Sequence, residues 1–240
     1  RTGFRCDDEW AAASMCYTSG TTGNPKGVVY THRSTYLHTM GAMMADTIGV
    51  TESDVILPVV PMFHANAWGL AHAAVASGAK LVQPGPDLSA PTLARLREDQ
   101  RVTPAAGVPT IWMGVVEELE GRDTSALRVL PCGGSAVPTA LSKRFEEVTG
   151  LPILQAWGMT ETSPVGAVAK VISSLEGSPE EKLDERRASQ GLPVLGVELR
   201  VVTPEGEKVP WDGETQGELQ AAGPWITDGY YDDNRSAESM

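Results

Sequence analysis

The stretch LRVLPCGGSAVPTALSKRFEEVTGLPILQAW, at residues 127–157, decides the fold class. It begins with an apolar run at residues 127–131 and ends with a second run at residues 153–157. Between the two runs Pro138 opens a helix and Gly150 closes it, because proline suits the start of a helix and glycine its carboxyl end. A strand, a helix and a second strand in this order predict neighbouring parallel strands in one sheet.

The same alternation extends upstream along the chain. Further strands are predicted at residues 55–60, 80–83 and 102–106, and Ser89 can cap the helix that follows the second of them. An apolar stripe predicts another helix, formed by Ile111, Trp112, Val115, Val116 and Leu119. We therefore expect an α/β fold in which helices cover layers of parallel sheet.

An earlier helix is predicted from apolar residues at helical spacing, namely Tyr36, Leu37, Met40, Met43, Met44, Thr47 and Ile48. Methionine adapts its shape to irregular gaps in a core. We therefore expect these methionines to fill the core and not to form a ligand surface.

The character of the sequence changes after about residue 171. Residues 173–190 are polar and charged, which is typical of a surface helix with loops. From residue 192 onward the pattern favours strands, at residues 197–202 and 217–220, with a turn at residues 204–206. We therefore divide the chain into a central α/β part, residues 1–170, and a polar helix with a small β-rich segment, residues 171–240.

Composition narrows the classes of function. The net charge is −12, from 31 acidic and 19 basic residues, which argues against binding to the nucleic-acid backbone. No apolar run is long enough to span a bilayer. The three cysteines, Cys6, Cys16 and Cys132, match no zinc or redox spacing and are typical of reduced thiols in a cytosolic protein.

The segment Thr18-Ser-Gly-Thr-Thr-Gly-Asn-Pro-Lys-Gly27 has the composition of a polyphosphate cradle. Its glycines leave backbone N–H groups unobstructed, its hydroxyls can donate to phosphate oxygens, and Lys26 adds a positive charge. It is not a Walker A loop, because Pro-Lys-Gly stands where that motif has Gly-Lys-Ser or Gly-Lys-Thr. The alternative interpretation is a mobile turn rich in glycine and threonine.

A second group of chemical residues lies in Gln155-Ala-Trp-Gly-Met-Thr-Glu-Thr162, at the end of a predicted strand. The face of Trp157 can pack on a purine, Thr160 can bind phosphate, and Glu161 is a suitable oxygen ligand for Mg²⁺. Ligands bind outside the carboxyl ends of strands in such sheets, where Gly134 and Ser135 are also expected. The alternative is a buried strand followed by a capped helix.

A third segment, Pro61-Met-Phe-His-Ala-Asn-Ala-Trp68, follows another predicted strand. His64 and Trp68 could both be ordinary core residues.

Together these segments resemble the signatures of the acyl-adenylate-forming superfamily, in which the chain is closest to medium- and long-chain fatty acid–CoA ligases. The resemblance implies that Thr18, Ser19, Gly20, Thr21, Thr22, Gly23, Lys26, Gly134, Ser135, Gln155, Ala156, Trp157 and Thr160 bind ATP. It also implies that Glu161 and Thr18 contact Mg²⁺, and that Glu161, Lys26 and Thr160 are catalytic. The motif at residues 217–231 resembles one whose role is mainly structural.

On the acyl side, the resemblance places His64, Trp68 and Gly107 along a tunnel, where Gly107 leaves room for an alkyl chain. The implied reaction activates a fatty acid with ATP to acyl-AMP and then transfers the acyl group to CoA. The alternatives are an aryl- or short-chain acyl-CoA ligase of the same superfamily, or a nucleotide-binding module without catalysis. A cytoplasmic protein is expected, with peripheral membrane contact and a homodimer left open.

Two parts of the superfamily pattern do not occur in the sequence. Lys208 is the last lysine and precedes the residue 217–231 motif, whereas the catalytic lysine of the carboxyl-terminal domain follows that motif. The ribose-binding Thr-Gly-Asp motif does not occur either. We therefore expect the chain to represent part of the amino-terminal domain without the carboxyl-terminal lid, and to adenylate poorly on its own.

Overall fold

The computed structural model describes residues 5–18 and 24–232. Eleven strands lie in these ranges: β1 Ala12–Tyr17, β2 Gly27–Thr31, β3 Val55–Pro58, β4 Lys80–Leu81, β5 Ala105–Ala106, β6 Pro131–Cys132, β7 Leu154–Gly158, β8 Val165–Val168, β9 Leu192–Pro193, β10 Glu198–Val202 and β11 Glu218–Ala222. The helices are α1 His32–Met43, α2 Ala65–Trp68, α3 Leu70–Ser77, α4 Ala90–Asp99, α5 Pro109–Glu118, α6 Thr139–Thr149 and α7 Glu180–Ala188, and short 3₁₀ turns occur at Thr160–Thr162 and Ser173–Leu175.

The predicted parallel sheet is confirmed. Strand β3 pairs in parallel with β4 and β5, and β6 pairs in parallel with β7. Two isolated parallel bridges, Pro104 to Val129 and Gly107 to Cys132, join the two groups. Strands β8 and β9 then extend the sheet in antiparallel orientation, an addition that the sequence pattern did not predict.

Helices cover both faces of this sheet. Successive residues of a strand point to opposite faces, and Leu57 and Ile56 of β3 accordingly belong to different buried clusters. The cluster around Leu57 includes residues of α4, α5 and α6, whereas the cluster around Ile56 includes residues of α1 and α3. The sheet therefore has its core on both sides, as expected for an α/β fold.

Several predicted element bounds are wrong, and one burial prediction fails. Helix α1 ends at Met43 and does not reach Ile48, because Met44 is extended and the Thr47 hydroxyl donates to the Gly41 carbonyl oxygen over 2.6 Å. Met40 is exposed, so the prediction that these methionines fill the core fails there. The strand predicted at residues 127–131 begins only at Pro131.

The part after residue 171 has the predicted elements. Helix α7 has no buried residue, as expected for a surface helix. Strands β10 and β11 form an antiparallel hairpin. Strand β9 instead joins the main sheet beside β8, so the chain crosses back to the α/β part after α7. The division at residue 170 stays a prediction.

Within the described residues, no helix is long and apolar enough to cross a bilayer.

Candidate active site

A cavity of about 400 Å³ lies at the carboxyl ends of β6 and β7. Most of the predicted site residues line it: Thr18, Lys26, His64, Trp68, Gly134, Ala156, Trp157, Thr160 and Glu161. These residues come from four separate parts of the sequence, and the fold brings them together at the edge of the parallel sheet where ligands bind in such folds.

One wall of the cavity carries the two residues that flank the predicted phosphate loop. The backbone N–H of Thr18 donates to the Lys26 carbonyl oxygen over 2.9 Å, and the N–H of Lys26 donates to Thr18 Oγ1 over 3.1 Å. These bonds continue the β1–β2 hairpin and fix both residues at the cavity. The predicted ligands Ser19, Gly20, Thr21, Thr22 and Gly23 lie outside the described residues.

The opposite charge in the cavity is Glu161, which lies on the 3₁₀ turn Thr160–Thr162. Its Oε1 accepts a hydrogen bond of 2.7 Å from the Tyr230 hydroxyl, and its carbonyl oxygen accepts one of 2.9 Å from the Thr227 N–H. The buried Tyr30 hydroxyl donates to the carbonyl oxygen of Thr160 over 2.7 Å. The turn is therefore held at consecutive residues, which fixes the Glu161 backbone.

Burial raises the pKa of Tyr30 above its ordinary value, and the neighbouring Cys16 and Glu161 raise it further. The hydroxyl therefore keeps its proton at physiological pH and remains a hydrogen-bond donor to the turn.

The oxygen ligands on this side of the cavity suit a metal ion that binds together with phosphate. The described residues contain no cluster of three or more His, Cys, Asp or Glu that could hold a metal by itself. Mg²⁺ is commonly bound by one or two carboxylates together with substrate phosphates and water. The single Glu161 carboxylate with the Thr18 side chain nearby in the cavity lining meets that requirement.

Two predicted nucleotide ligands do not line the cavity. Gln155 is 1% exposed, and its Oε1 accepts from the Val137 N–H over 2.8 Å while its Nε2 donates to the Ser189 carbonyl oxygen over 2.8 Å. Its side chain thus cross-links β7 to the segment after β6 and to the end of α7. Ser135 is exposed outside the lining residues.

The space beside Gly107 is also occupied. A Cβ at Gly107 would lie 3.0 Å from Cζ2 of Trp112, which packs edge-on against Phe145 at a centroid distance of 6.2 Å. Gly107 itself is not among the residues that line the cavity, and its role along an acyl tunnel stays a prediction.

Trp68 reaches the cavity from an unusual backbone. The residues Ala65, Asn66, Ala67 and Trp68 have φ values of 44°, 52°, 51° and 57°, so α2 is a single left-handed turn. A residue with a side chain in this conformation costs on the order of 1 kcal/mol or more. The surrounding contacts offset that cost: Asn66 Nδ2 donates to Ser14 Oγ over 2.9 Å, and the Trp68 side chain is 8% exposed.

The next residue, Gly69, lies against a buried histidine. A Cβ at Gly69 would lie 2.7 Å from the ring of His38. His38 Nε2 accepts a hydrogen bond of 3.2 Å from the Val165 N–H, and burial, with a contribution from His72, lowers the pKa of His38 to about 3. His38 is therefore a neutral packing residue and not an acid–base group.

The lining also includes Gly133 and Gly158, which follow predicted strands, and Asn24, Ala65 and Met159, which lie inside the sequence motifs without an assigned role. Three lining residues were not predicted from the sequence: Pro164, Val165 and Tyr230. Tyr230 is the most informative of them, because it contacts both charged groups. Besides the hydrogen bond to Glu161, its ring centroid lies 4.4 Å from Lys26 Nζ. The paired tyrosines after Gly229 were the available signal, but their motif was interpreted as structural.

The same architecture occurs in solved structures of acyl-CoA ligases. A long-chain fatty acid–CoA ligase from Archaeoglobus fulgidus aligns with a TM-score of 0.79 and 27% identity, over 98% of this chain and 46% of that one. The o-succinylbenzoate–CoA synthetase of Bacillus subtilis, in complex with AMP, aligns with a TM-score of 0.83 and 26% identity, over 97% and 45% of the two chains.

The family model described as AMP-binding enzyme matches residues 4–231. The chain belongs to the AMP-binding enzyme family. It is 47% identical to a medium-chain fatty acid–CoA ligase of Ectopseudomonas oleovorans, over 93% of this chain and 41% of the relative. It is 48% identical to a long-chain fatty acid–CoA ligase of Thermus thermophilus, over 96% and 43%, and 45% identical to a 3-methylmercaptopropionyl-CoA ligase of Ruegeria pomeroyi, over 93% and 42%. The chain thus spans about two fifths of the length of these relatives.

Proposed function

We propose that this chain forms the ATP-binding and acyl-binding part of a fatty acid–CoA ligase that acts on medium- or long-chain acids. The observation that carries the proposal is the shared cavity, in which Lys26 and Glu161 lie with the indoles of Trp157 and Trp68. Two opposite charges suit a phosphate chain with its cation, and the indoles suit a purine and an apolar acyl group.

The proposed reaction has two steps. In the first, a carboxylate oxygen of the fatty acid attacks the α-phosphorus of ATP, and the bond from the α-phosphorus to the bridging oxygen breaks to release pyrophosphate. In the second, the thiol sulfur of CoA attacks the carbonyl carbon of the acyl-AMP, AMP leaves, and the thiol proton passes to solvent. Neither step needs a nucleophile from the protein, so catalysis depends on positioning and charge stabilisation.

Each of these tasks is assigned to particular residues of the cavity. We assign to Lys26 the stabilisation of the negative charge that develops on the leaving pyrophosphate, and to Trp157 the stacking of the purine. Glu161 and Thr18 would hold Mg²⁺, which when bound neutralises phosphate charge. Thr160, beside Glu161 in the lining, would donate its hydroxyl to a phosphate oxygen.

A short-chain acid is the second candidate for the acyl substrate. Trp112 lies against Gly107, where a Cβ would be 3.0 Å from its Cζ2, so bulk lies close to one residue of the predicted acyl tunnel. One relative at 45% identity is named as a ligase of 3-methylmercaptopropionate, a short acid. A short acid therefore remains the alternative that the substrate test must separate from a fatty acid.

The test is ATP–pyrophosphate exchange by the complete protein that carries this chain, with butyrate, 3-methylmercaptopropionate, octanoate, palmitate and benzoate as substrates. We expect the highest kcat/KM with octanoate or palmitate and a requirement for Mg²⁺. Glu161→Gln should abolish most of the exchange, whereas Glu176→Gln, at an exposed position outside the cavity lining, is the matched control. Full exchange by Glu161→Gln would overturn the assignment, and a preference for a short or aryl acid would replace the substrate class.

A further inference from the structure

Residues 225–230, here called the strap, connect the two charged walls of the cavity. At one end, Ser163 Oγ donates to the Trp225 carbonyl oxygen over 2.7 Å. In the middle, the Thr227 N–H donates to the Glu161 carbonyl oxygen over 2.9 Å. The strap is therefore bonded along the turn that carries Glu161.

The other end of the strap is bonded to the hairpin that carries Lys26. Tyr230 forms an antiparallel bridge with Val28 of β2. The next backbone N–H, that of Tyr231, donates to the Gly27 carbonyl oxygen over 2.8 Å. The Tyr230 backbone is thus fixed opposite Val28, two residues along β2 from Lys26, independently of its side chain.

From this fixed backbone the Tyr230 side chain contacts both charges at once. Its hydroxyl donates to Glu161 Oε1 over 2.7 Å, and its ring lies 4.4 Å from Lys26 Nζ. A phenol suits both contacts, because its O–H is a donor to a carboxylate and its ring face attracts a cation. Lys26 and Glu161 have opposite charges and line one cavity, and each contacts Tyr230. Among the ion pairs of the described residues, none joins Lys26 to Glu161.

We propose that Tyr230 is a positioning residue, which holds the Lys26 ammonium and the Glu161 carboxylate apart so that a phosphate chain and its cation can enter between them. The proposal rests on the proposed function, since it concerns the same phosphate site. Without Tyr230, the two charges would attract each other directly and would compete with the ligand for the same groups.

The test compares Mg·ATP binding by calorimetry in variants of the complete protein. Tyr230→Phe keeps the ring beside Lys26 and removes the hydroxyl, so we expect an affinity about fivefold weaker. Tyr230→Leu removes both contacts, and we expect an affinity about 20-fold weaker. Tyr231→Phe is the matched control, because its side chain is 61% exposed and its backbone bond is retained, and it should bind like the unmodified protein.

A double-substitution cycle separates positioning from a general structural effect. In a Glu161→Gln background, adding Tyr230→Phe should weaken Mg·ATP binding less than about twofold, because the partner of the hydroxyl is already changed. Independent effects of the two substitutions would overturn the proposal. Thermal unfolding of Tyr230→Phe should stay within about 2 °C of the unmodified protein, and a larger loss would assign the effect to folding.

Kinetics give a readout that a structural role would not produce. We expect Tyr230→Phe to raise the KM for Mg·ATP by the same factor as its dissociation constant, with the KM for the carboxylic acid unchanged. Normal Mg·ATP binding by Tyr230→Phe, with weak binding by Lys26→Ala and Glu161→Gln, would overturn the positioning role alone. Normal binding by all three variants would overturn the proposed function as well.

Discussion

The two ends of the parallel strands place their charged groups in opposite ways. At the amino ends, just before β3, the Asp54 carboxylate is enclosed by partners: Arg128 donates Nε to its Oδ1 over 2.8 Å and Nη2 to its Oδ2 over 2.6 Å. The Thr103 hydroxyl and the Thr51 N–H donate to it over 2.6 Å and 2.7 Å. At the carboxyl ends, Lys26 and Glu161 instead lie beside a cavity and share one tyrosine.

The difference shows which charges of the sheet are structural. Burial alone would raise the pKa of Asp54, but the hydrogen bonds from Arg128, Thr103 and Thr51 hold it well below its usual range. Asp54 and Arg128 therefore stabilise the fold and have little capacity left for a ligand. Lys26 and Glu161 retain that capacity, which is the property expected of a binding site.

The largest expected effect comes from removing the positive charge that faces the cavity at the carboxyl ends. Lys26→Ala in the complete protein should lower the rate of ATP–pyrophosphate exchange by about 10² to 10³, because a positioned donor to developing charge is lost. The free energy of unfolding should change by less than about 0.5 kcal/mol. Lys80→Ala, which removes a lysine at an exposed hydrogen bond to Gln100, is the control and should keep full activity.

The matching change at the amino ends should act on stability and not on catalysis. Arg128→Met leaves the buried Asp54 carboxylate without its bidentate partner, and we expect the free energy of unfolding to fall by about 3 kcal/mol. Urea unfolding measures this loss, and kcat measured well below the unfolding transition should be unchanged. An Arg128→Met protein with normal stability and reduced kcat would reverse the assignment of the two ends.

A third substitution tests the backbone that carries Trp68. Gly69→Ala places a Cβ 2.7 Å from the His38 ring at a φ of +72°, and we expect a loss of about 2 kcal/mol in the free energy of unfolding. Gly78→Ala is the matched control, because its φ is +84° but its nearest neighbour is Glu52 Cγ at 3.6 Å. Equal losses in the two variants would show that the His38 contact is not tight.

The smallest effect is the dependence of stability on acid. The folded-state pKa of Asp54 is lowered, so its contribution is complete above its ordinary value of 3.8 and is lost as the pH falls through the folded-state pKa. Below pH 3.8 we expect this group to remove up to about 1.4 kcal/mol for each pH unit. Urea unfolding at several acidic pH values should therefore show a steeper decline for the unmodified protein than for Arg128→Met.

The sequence predicted those parts of the site that depend on local pattern. Apolar runs of strand length located β3 and β7, and the rule that ligands bind at carboxyl ends placed Trp157 and Glu161 at one cavity. Lys26 joined them because the β1–β2 hairpin returns to the same edge.

The features of the site that the sequence did not predict depend on contacts between distant segments of the chain. Tyr230 is 69 residues from Glu161 in the chain, and its position is set by the bridge to Val28. The buried bonds of Gln155 depend on a carbonyl oxygen at the end of α7, which no local pattern reveals. Likewise the sequence Ala-Asn-Ala-Trp contains no glycine to indicate a left-handed turn, so only tertiary packing can impose it.

That turn also constrains how the protein can change during evolution. Glycine at Ala67 would relieve its unfavourable φ of 51° and would be an accessible route to a more relaxed chain. The same substitution would remove a buried methyl group and would let the segment adopt other conformations, in which the Trp68 side chain is no longer fixed. Selection for an indole with a fixed position in the cavity would therefore retain Ala67, although the backbone conformation alone would favour glycine there.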